Sequence, residues 1–385
     1  MDRRMFLAGG ALLASPARAA RSPLDLGVID HDRILRAADR FLAEPPVTVT
    51  AFAAPRSPAG PHDYYSEADY WWPNPQDPGG PYIRRDGYSN PAKFTAHRDA
   101  MIRLGVQLPA LVAAFVVTGK PRYAEHAEAH LRAWFIDPAT RMNPHLEHAQ
   151  AIIGVNTGRG IGVIDTLHLV EVARAVSELG RRRPSGLLLD DAPAWFDRYL
   201  TWMTTSPNGV DERDQVNNHG SCWALQCAQF ARLAHRPAQI DLARGRVKAL
   251  VPGQIAADGS QPLELARTKP FGYSLFNLDV LGTCAHVLSL PGDDLWRFRG
   301  PKGGSIADAV NYMAPFIANK ATWPKAPDVE AWEAWPVRHP ALLFAGMALP
   351  RQDYLEIWRG LPADPVDAEI VRNYPIRQPV LWSGA

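Results

Sequence analysis

Apolar residues recur along this chain at the i, i+3, i+4 interval, the spacing that lays one face of a helix against a core. From Asp30 to Leu42, Ile34, Leu35, Ala38 and Phe41 share a side. Asn90 is placed to cap a long helix from Pro91 to about Val117, with Met101, Leu104, Leu108, Leu111 and Phe115 inward. Gly119-Lys120-Pro121 interrupts the pattern and Tyr123 to Phe135 resumes it, which predicts an antiparallel helical pair across a short turn. Further helices are expected over 164–179, 192–204, 218–234, 247–257, 275–289 and 306–319, with a short one near 341–348. No alternating run is long enough for a useful strand. Helices of similar length, joined by alternately short and long connections, predict an all-α fold. The expected architecture is an incomplete (α/α) toroid, a barrel of helical hairpins whose long connections gather at one mouth and line a cleft. No internal repeat is visible, so periodicity alone does not force the ring.

One segment breaks the helical rule. Residues 45–87 are dense in Pro, Gly, Asp and aromatics, and include Asp69-Tyr70-Trp71-Trp72-Pro73-Asn74-Pro75 and Gly79-Gly80-Pro81-Tyr82. Disordered linkers are poor in aromatics, and an ordered loop of this length is usually a binding loop or lid. Tyr70, Trp71 and Trp72 are candidates to stack against sugar rings. The same indoles serve equally well to pin the loop onto the body.

The amino terminus reads differently again. Arg3-Arg4 precedes a short apolar stretch from Met5 to Ala14, and Ala17-Arg18-Ala19 has a small-x-small cleavage pattern. Residues 1–20 are therefore expected to be a twin-arginine-like export signal, too short to span a membrane, and 21–385 a single catalytic domain, periplasmic or secreted. The 385 residues are 46% hydrophobic with a formal net charge of +1, which allows a large core and excludes a generally basic nucleic-acid or membrane-surface binder. Twelve Trp and 35 Pro fit an aromatic-lined carbohydrate cleft with structured loops. Cys222, Cys227 and Cys284 have apolar surroundings and form no CxxC pair, so they read as buried thiols.

Chemistry concentrates at Gln215-Val216-Asn217-Asn218-His219, just where a helix begins, and again at Glu264 to Tyr273. Asn218 donates through its amide, and His219 donates or accepts according to protonation. Arg267 supplies a fixed positive charge and Tyr273 a phenol. Such a set suits a carboxylate that must gain negative charge during reaction. The plainer reading is that Asn217 and Asn218 cap the helix and His219 packs. His145 and Arg159 are candidates for substrate contact on the 143–162 loop. His145 and His148 lack the H-E-x-x-H spacing and a third ligand, so no metal or cofactor is expected. The glycines around Arg159 do not make a dinucleotide fingerprint, and no Walker A or G-x-S-x-G motif is present. A glycoside hydrolase needs two cleft carboxylates, and spacing singles out no pair among Asp63, Glu67, Asp69, Asp214 and Glu264.

Asn217-Asn218-His219, then Pro262-Leu263-Glu264-Leu265-Ala266-Arg267 and Tyr273, resemble the alginate lyase family of polysaccharide lyases. The tract from Tyr70 to Tyr82, with Asn90-Pro91, is similar to a branch that includes glucuronan-type lyases. The Arg267–Tyr273 interval is shorter by one than in the better-known alginate lyases, with Lys269-Pro270-Phe271-Gly272 between. The resemblance implies an α/α toroid and metal-independent β-elimination on an acidic 1,4-linked uronate polymer. Asn218, His219 and Arg267 would bind the carboxylate, and Tyr273 would take H5 and return a proton to O4, with His219 the other candidate base. A single residue does both only where H5 and O4 share a face, as in D-mannuronate and D-glucuronate. The competing readings are a glycoside hydrolase on an uronic-acid polymer and a non-catalytic sugar-binding protein.

Overall fold

In the computed structural model, which describes residues 24–383, an inner layer runs through Ala96–Thr118, Leu169–Arg182, Asn218–Leu233, Pro270–Leu288 and Pro340–Ala348. Each packs on the next in chain order. Outer helices back them: His31–Phe41 and Pro121–Leu131 behind the first, Ala192–Thr205 and Pro237–Gln254 behind Asn218–Leu233. Ile306–Ala318 backs Pro270–Leu288, and Gln352–Gly360 backs the last. Composition explains the layering. Asn218–Leu233 and Pro270–Leu288 bury nearly every residue, whereas His31–Phe41 buries only Ile34, Ala38 and Phe41. A helix apolar all round belongs inside, and one with a single apolar stripe belongs outside. Trp195, Trp223 and Trp358 are fully buried between the layers.

Packing of comparable extent does not return from the last inner helix to the first among the described residues, so the toroid is open. The C-terminal stretch anchors across the ring instead. The Trp382 indole donates to Glu171, Arg174 donates to the Leu381 carbonyl, and His286 bonds the Trp382 carbonyl. Arg98, His168, Asn218 and Tyr273, each at or just before the start of an inner helix, line one cleft. Helix N-termini carry partial positive charge, so the mouth is biased toward anions before any side chain is counted.

Several elements differ from expectation. The first inner helix starts at Ala96, because Asn90 donates its amide to the Trp71 carbonyl and accepts from the Ala92 N–H rather than capping. The helix expected from Val247 begins at Pro237; its first turns are largely exposed, but Ile240 and Ala243 already continue the Val247 face. Pro207–Asp214 and Gln352–Gly360 are helices the pattern did not announce. Two small strand pairs also form: Tyr65–Glu67 runs parallel to His148–Ala151, and Trp71–Trp72 runs antiparallel to Ile83–Arg84. The export signal lies outside the described residues. Cys222, Cys227 and Cys284 are buried and free.

Candidate active site

Asn217 caps the Asn218–Leu233 helix, its side chain accepting from the His219 N–H at 3.3 Å. The start of this helix lies against the preceding loop. A Cβ on Gly220 would sit 2.0 Å from the Gln215 carbonyl oxygen, so the approach requires glycine there. Asn218 is buried, and Glu264 accepts from both its backbone N–H at 3.0 Å and its amide at 2.7 Å. His219 Nδ1 lies 3.0 and 3.1 Å from the two oxygens of Glu212. Burial raises both carboxyls above the ordinary range, while the His219 and Asn218 contacts oppose that rise. With Nδ1 occupied, Nε2 is the polar atom His219 has left for the cleft.

The facing wall is set by Arg267 and Tyr273. The two arms of Asp328 accept from the Phe271 and Gly272 N–H groups at 2.9 and 2.8 Å, capping the helix that carries Tyr273. Arg267 Nη2 donates to the Tyr273 hydroxyl at 3.1 Å, with the guanidinium carbon 4.2 Å from the ring centroid. The Tyr273 hydroxyl also bonds Tyr70 at 2.8 Å. Burial pushes the Tyr273 phenol well up, Tyr70 adds to this, and Arg267 counters it only in part. Arg267 thus favours the phenolate, but burial outweighs it and Tyr273 rests as a phenol.

Arg267 is not free either. Asp86 engages its Nε at 3.1 Å and Nη2 at 2.8 Å, and also accepts from Arg84. Burial tends to raise the Asp86 carboxyl, but the Arg267 hydrogen bond and charge outweigh it and hold it at about 2.

On the floor, Arg98 grips Asp69 through bonds of 2.9 and 2.8 Å, and Arg372 pairs with Asp69 and Glu369. Asp165 accepts from Tyr64 at 2.9 Å, Ser66 at 2.6 Å and Gln150 at 3.0 Å. Gln150 holds Arg159 through its backbone carbonyl at 3.1 Å and its side-chain oxygen at 3.0 Å. It does so from a left-handed backbone conformation with φ 51°, uncommon for a residue other than glycine. Burial lowers Arg159 to about 10, since its hydrogen bonds go to Gln150 and to no carboxylate.

Asn217, Asn218, His219, Arg267, Tyr273, Tyr70, Trp71 and Arg159 thus line one cleft. Trp72 and His145 do not join them. The Trp72 indole donates to the Tyr88 carbonyl at 2.9 Å and its ring meets Arg85, so it pins the loop. His145 faces Asp63 at 3.0 Å. Glu212, Asp86, Gln150, Arg98 and Arg372 are site groups the motif reading did not single out. Arg98, Arg372 and Asp86 depend on partners far along the chain, and Glu212 and Gln150 on partners in a different local element, so no motif marked them. The cleft lining counts five arginines against two aspartates, both aspartates already bonded, on a chain of net charge +1. Among the described residues, no free carboxylate pair for hydrolysis stands in it.

The described geometry has relatives. Residues 48–323 match the family model for alginate lyase. An alginate lyase from Bacteroides ovatus has 30% identity and a TM-score of 0.77 over 94% of each chain. Alginate lyase A1-III from Sphingomonas species A1 has 16% identity and a TM-score of 0.53, over 90% of this chain and 93% of that one. A His-to-Ala variant of A1-III complexed with tetrasaccharide gives 17% identity and 0.51, over 80% and 84%. At those identities the A1-III likeness concerns the fold. No curated protein matches the chain. Helical toroid, cation-rich cleft and these relatives together define a polysaccharide lyase acting on uronate polymers. Within that class, the chain belongs to the alginate lyase family.

Proposed function

We propose that this lyase cleaves a 1,4-linked D-uronate polymer, mannuronan or glucuronan, by syn β-elimination after export from the cytoplasm. Asn218, His219 and Arg267 bind the carboxylate of the sugar being cut and stabilise the dianion-like intermediate. Tyr273 removes H5 and then protonates O4 as that bond breaks. The observation that carries the reading is the Tyr273 hydroxyl, 3.1 Å from Arg267 and 2.8 Å from Tyr70, in one cleft with Asn218 and His219. Arg267 stands where it stabilises a developing phenolate, and Tyr70 offers a hydrogen-bond partner to either protonation state. Arg159, without a carboxylate of its own, and Trp71 extend the binding surface to a neighbouring sugar. The tetrasaccharide complexes of A1-III support an oligosaccharide occupant. Because Tyr273 is raised, its base form is scarce at neutral pH, and kcat/KM should climb as pH rises.

Ultraviolet absorbance of the 4,5-unsaturated product tests this directly. The panel is polymannuronate, polyguluronate, glucuronan and a neutral glucan, each with and without chelator. Absorbance rising on a D-uronate polymer, indifferent to chelator, is the expected result. Rapid cleavage of polyguluronate alone would overturn the syn reading, because H5 and O4 then lie on opposite faces.

A further inference from the structure

Glu212 takes no part in the elimination as drawn, yet its placement is specific. It lies on Pro207–Asp214, is fully buried, and directs both oxygens at one atom, His219 Nδ1. Among the described residues, His219 is the hydrogen-bond partner of that carboxylate. Other charges surround the pair. Asp211 on the same helix and Asp165 across the cleft repel a negative Glu212. Arg159 attracts it from a distance but is itself bonded to Gln150. Glu264 and Arg267 face the imidazole side with opposite charge, Tyr273 shares the cleft, and Arg246 stands behind the Gln215 carbonyl. A carboxylate removed from water needs a proton or a cation within hydrogen-bond reach, and only the imidazole is positioned to supply either.

Three proton arrangements fit the contact. Ionised Glu212 with neutral His219 puts the ring proton on Nδ1 and leaves Nε2 a bare acceptor. Ionised Glu212 with imidazolium leaves Nε2–H toward the cleft. Protonated Glu212 donating to Nδ1 of a neutral ring does the same. The first arrangement buries an uncompensated charge; the other two do not. A uronate carboxylate entering the cleft finds a donor only in the latter two.

We propose that Glu212 is a positioning residue that keeps the His219 Nε2–H directed into the cleft, making His219 a donor to the substrate carboxylate and leaving proton abstraction to Tyr273. This deepens, and rests on, the carboxylate-binding reading above.

Nitrogen NMR of histidine-labelled enzyme without substrate tests it, with the His219 signals identified by their loss in His219→Gln. At neutral pH Nε2 is expected to carry a proton. A bare Nε2 with the ring proton on Nδ1 overturns the proposal, and this readout needs no variant of Glu212. In Glu212→Gln the share of enzyme with a protonated Nε2 should fall, and kcat/KM should fall roughly 10–100-fold, with partial recovery in Glu212→Asp. Lost activity with unmoved His219 signals would reduce Glu212 to a packing role. The nitrogen signals are read on the enzyme without substrate, so this test fails or succeeds independently of the elimination assay.

Discussion

The two walls of the cleft hold their functional groups in opposite ways. On the Asn217–His219 wall, the partners are Glu212 and Glu264, with relative exposures of 0% and 1%. On the Arg267–Tyr273 wall, the partner is Asp86, whose side chain is 27% exposed, shared with an Arg84 that is 56% exposed. A buried carboxylate bonded to a single group fixes that group, because breaking the pair strands a charge out of water. A solvent-reached ion pair is weak, screened by salt and easily exchanged. The first wall is therefore preorganised, while the second can trade Asp86 for another carboxylate of the same geometry. That is what a uronate brings.

The largest effect that sharpens this contrast is at Tyr273. Tyr273→Phe should lower kcat by about 10²–10⁴-fold while polymer binding, followed by calorimetry, stays near wild type. Activity within a few-fold of wild type would transfer the base role to His219. Next come the proposed carboxylate donors. Asn218→Ala and Arg267→Lys should each lose about 10²–10³-fold in kcat/KM. They should part in stability, because Asn218→Ala also strands buried Glu264, at a cost of about 1–3 kcal/mol in chemical denaturation. Equal stability of the two variants would break the comparison.

Smaller effects follow from Asp86. Asp86→Asn removes the anion that competes for Arg267, so KM should fall several-fold at low salt and less at high salt. An unchanged KM would mean that Asp86 stays in place when polymer binds. The acid limb has a definite sign. Asp86 is held near 2 against an ordinary 3.8, so its contribution to loop stability is complete above 3.8 and is lost as pH falls toward 2. Loop protection measured by hydrogen exchange should weaken in that window and not above it. Smallest is the tryptophan pair: Trp71→Ala should raise KM with little change in melting temperature, and Trp72→Ala should do the reverse.

Much of this was legible from residue order. The inner helices were readable because a helix buried on all sides needs a continuous apolar composition, as in Leu275 to Leu288. Outer helices were readable where a stripe existed, as at Ile34, Ala38 and Phe41, and failed where it did not, as at Pro207–Asp214. The Asn217-Asn218-His219 trio stood out because three polar groups at a helix start are conspicuous locally. Trp71 and Trp72 did not resolve themselves. Adjacent residues of a strand point to opposite faces, so one reaches the cleft while the other is tied to Tyr88.

What the sequence determined by itself was local: which stretches are helical, where polar groups gather at their ends, and that Asn218, His219, Arg267 and Tyr273 are candidates for one chemistry. What only the tertiary structure decided was pairing across distance. Glu264 meets Asn218 over 46 residues and Asp86 meets Arg267 over 181. Glu212 reaches His219 from a separate helix across the turn at residues 215–217. No spacing rule selects such partners, because a carboxylate's proton affinity and its hold on a neighbour depend on burial and on what faces it, and both exist only once the ring of helices has formed.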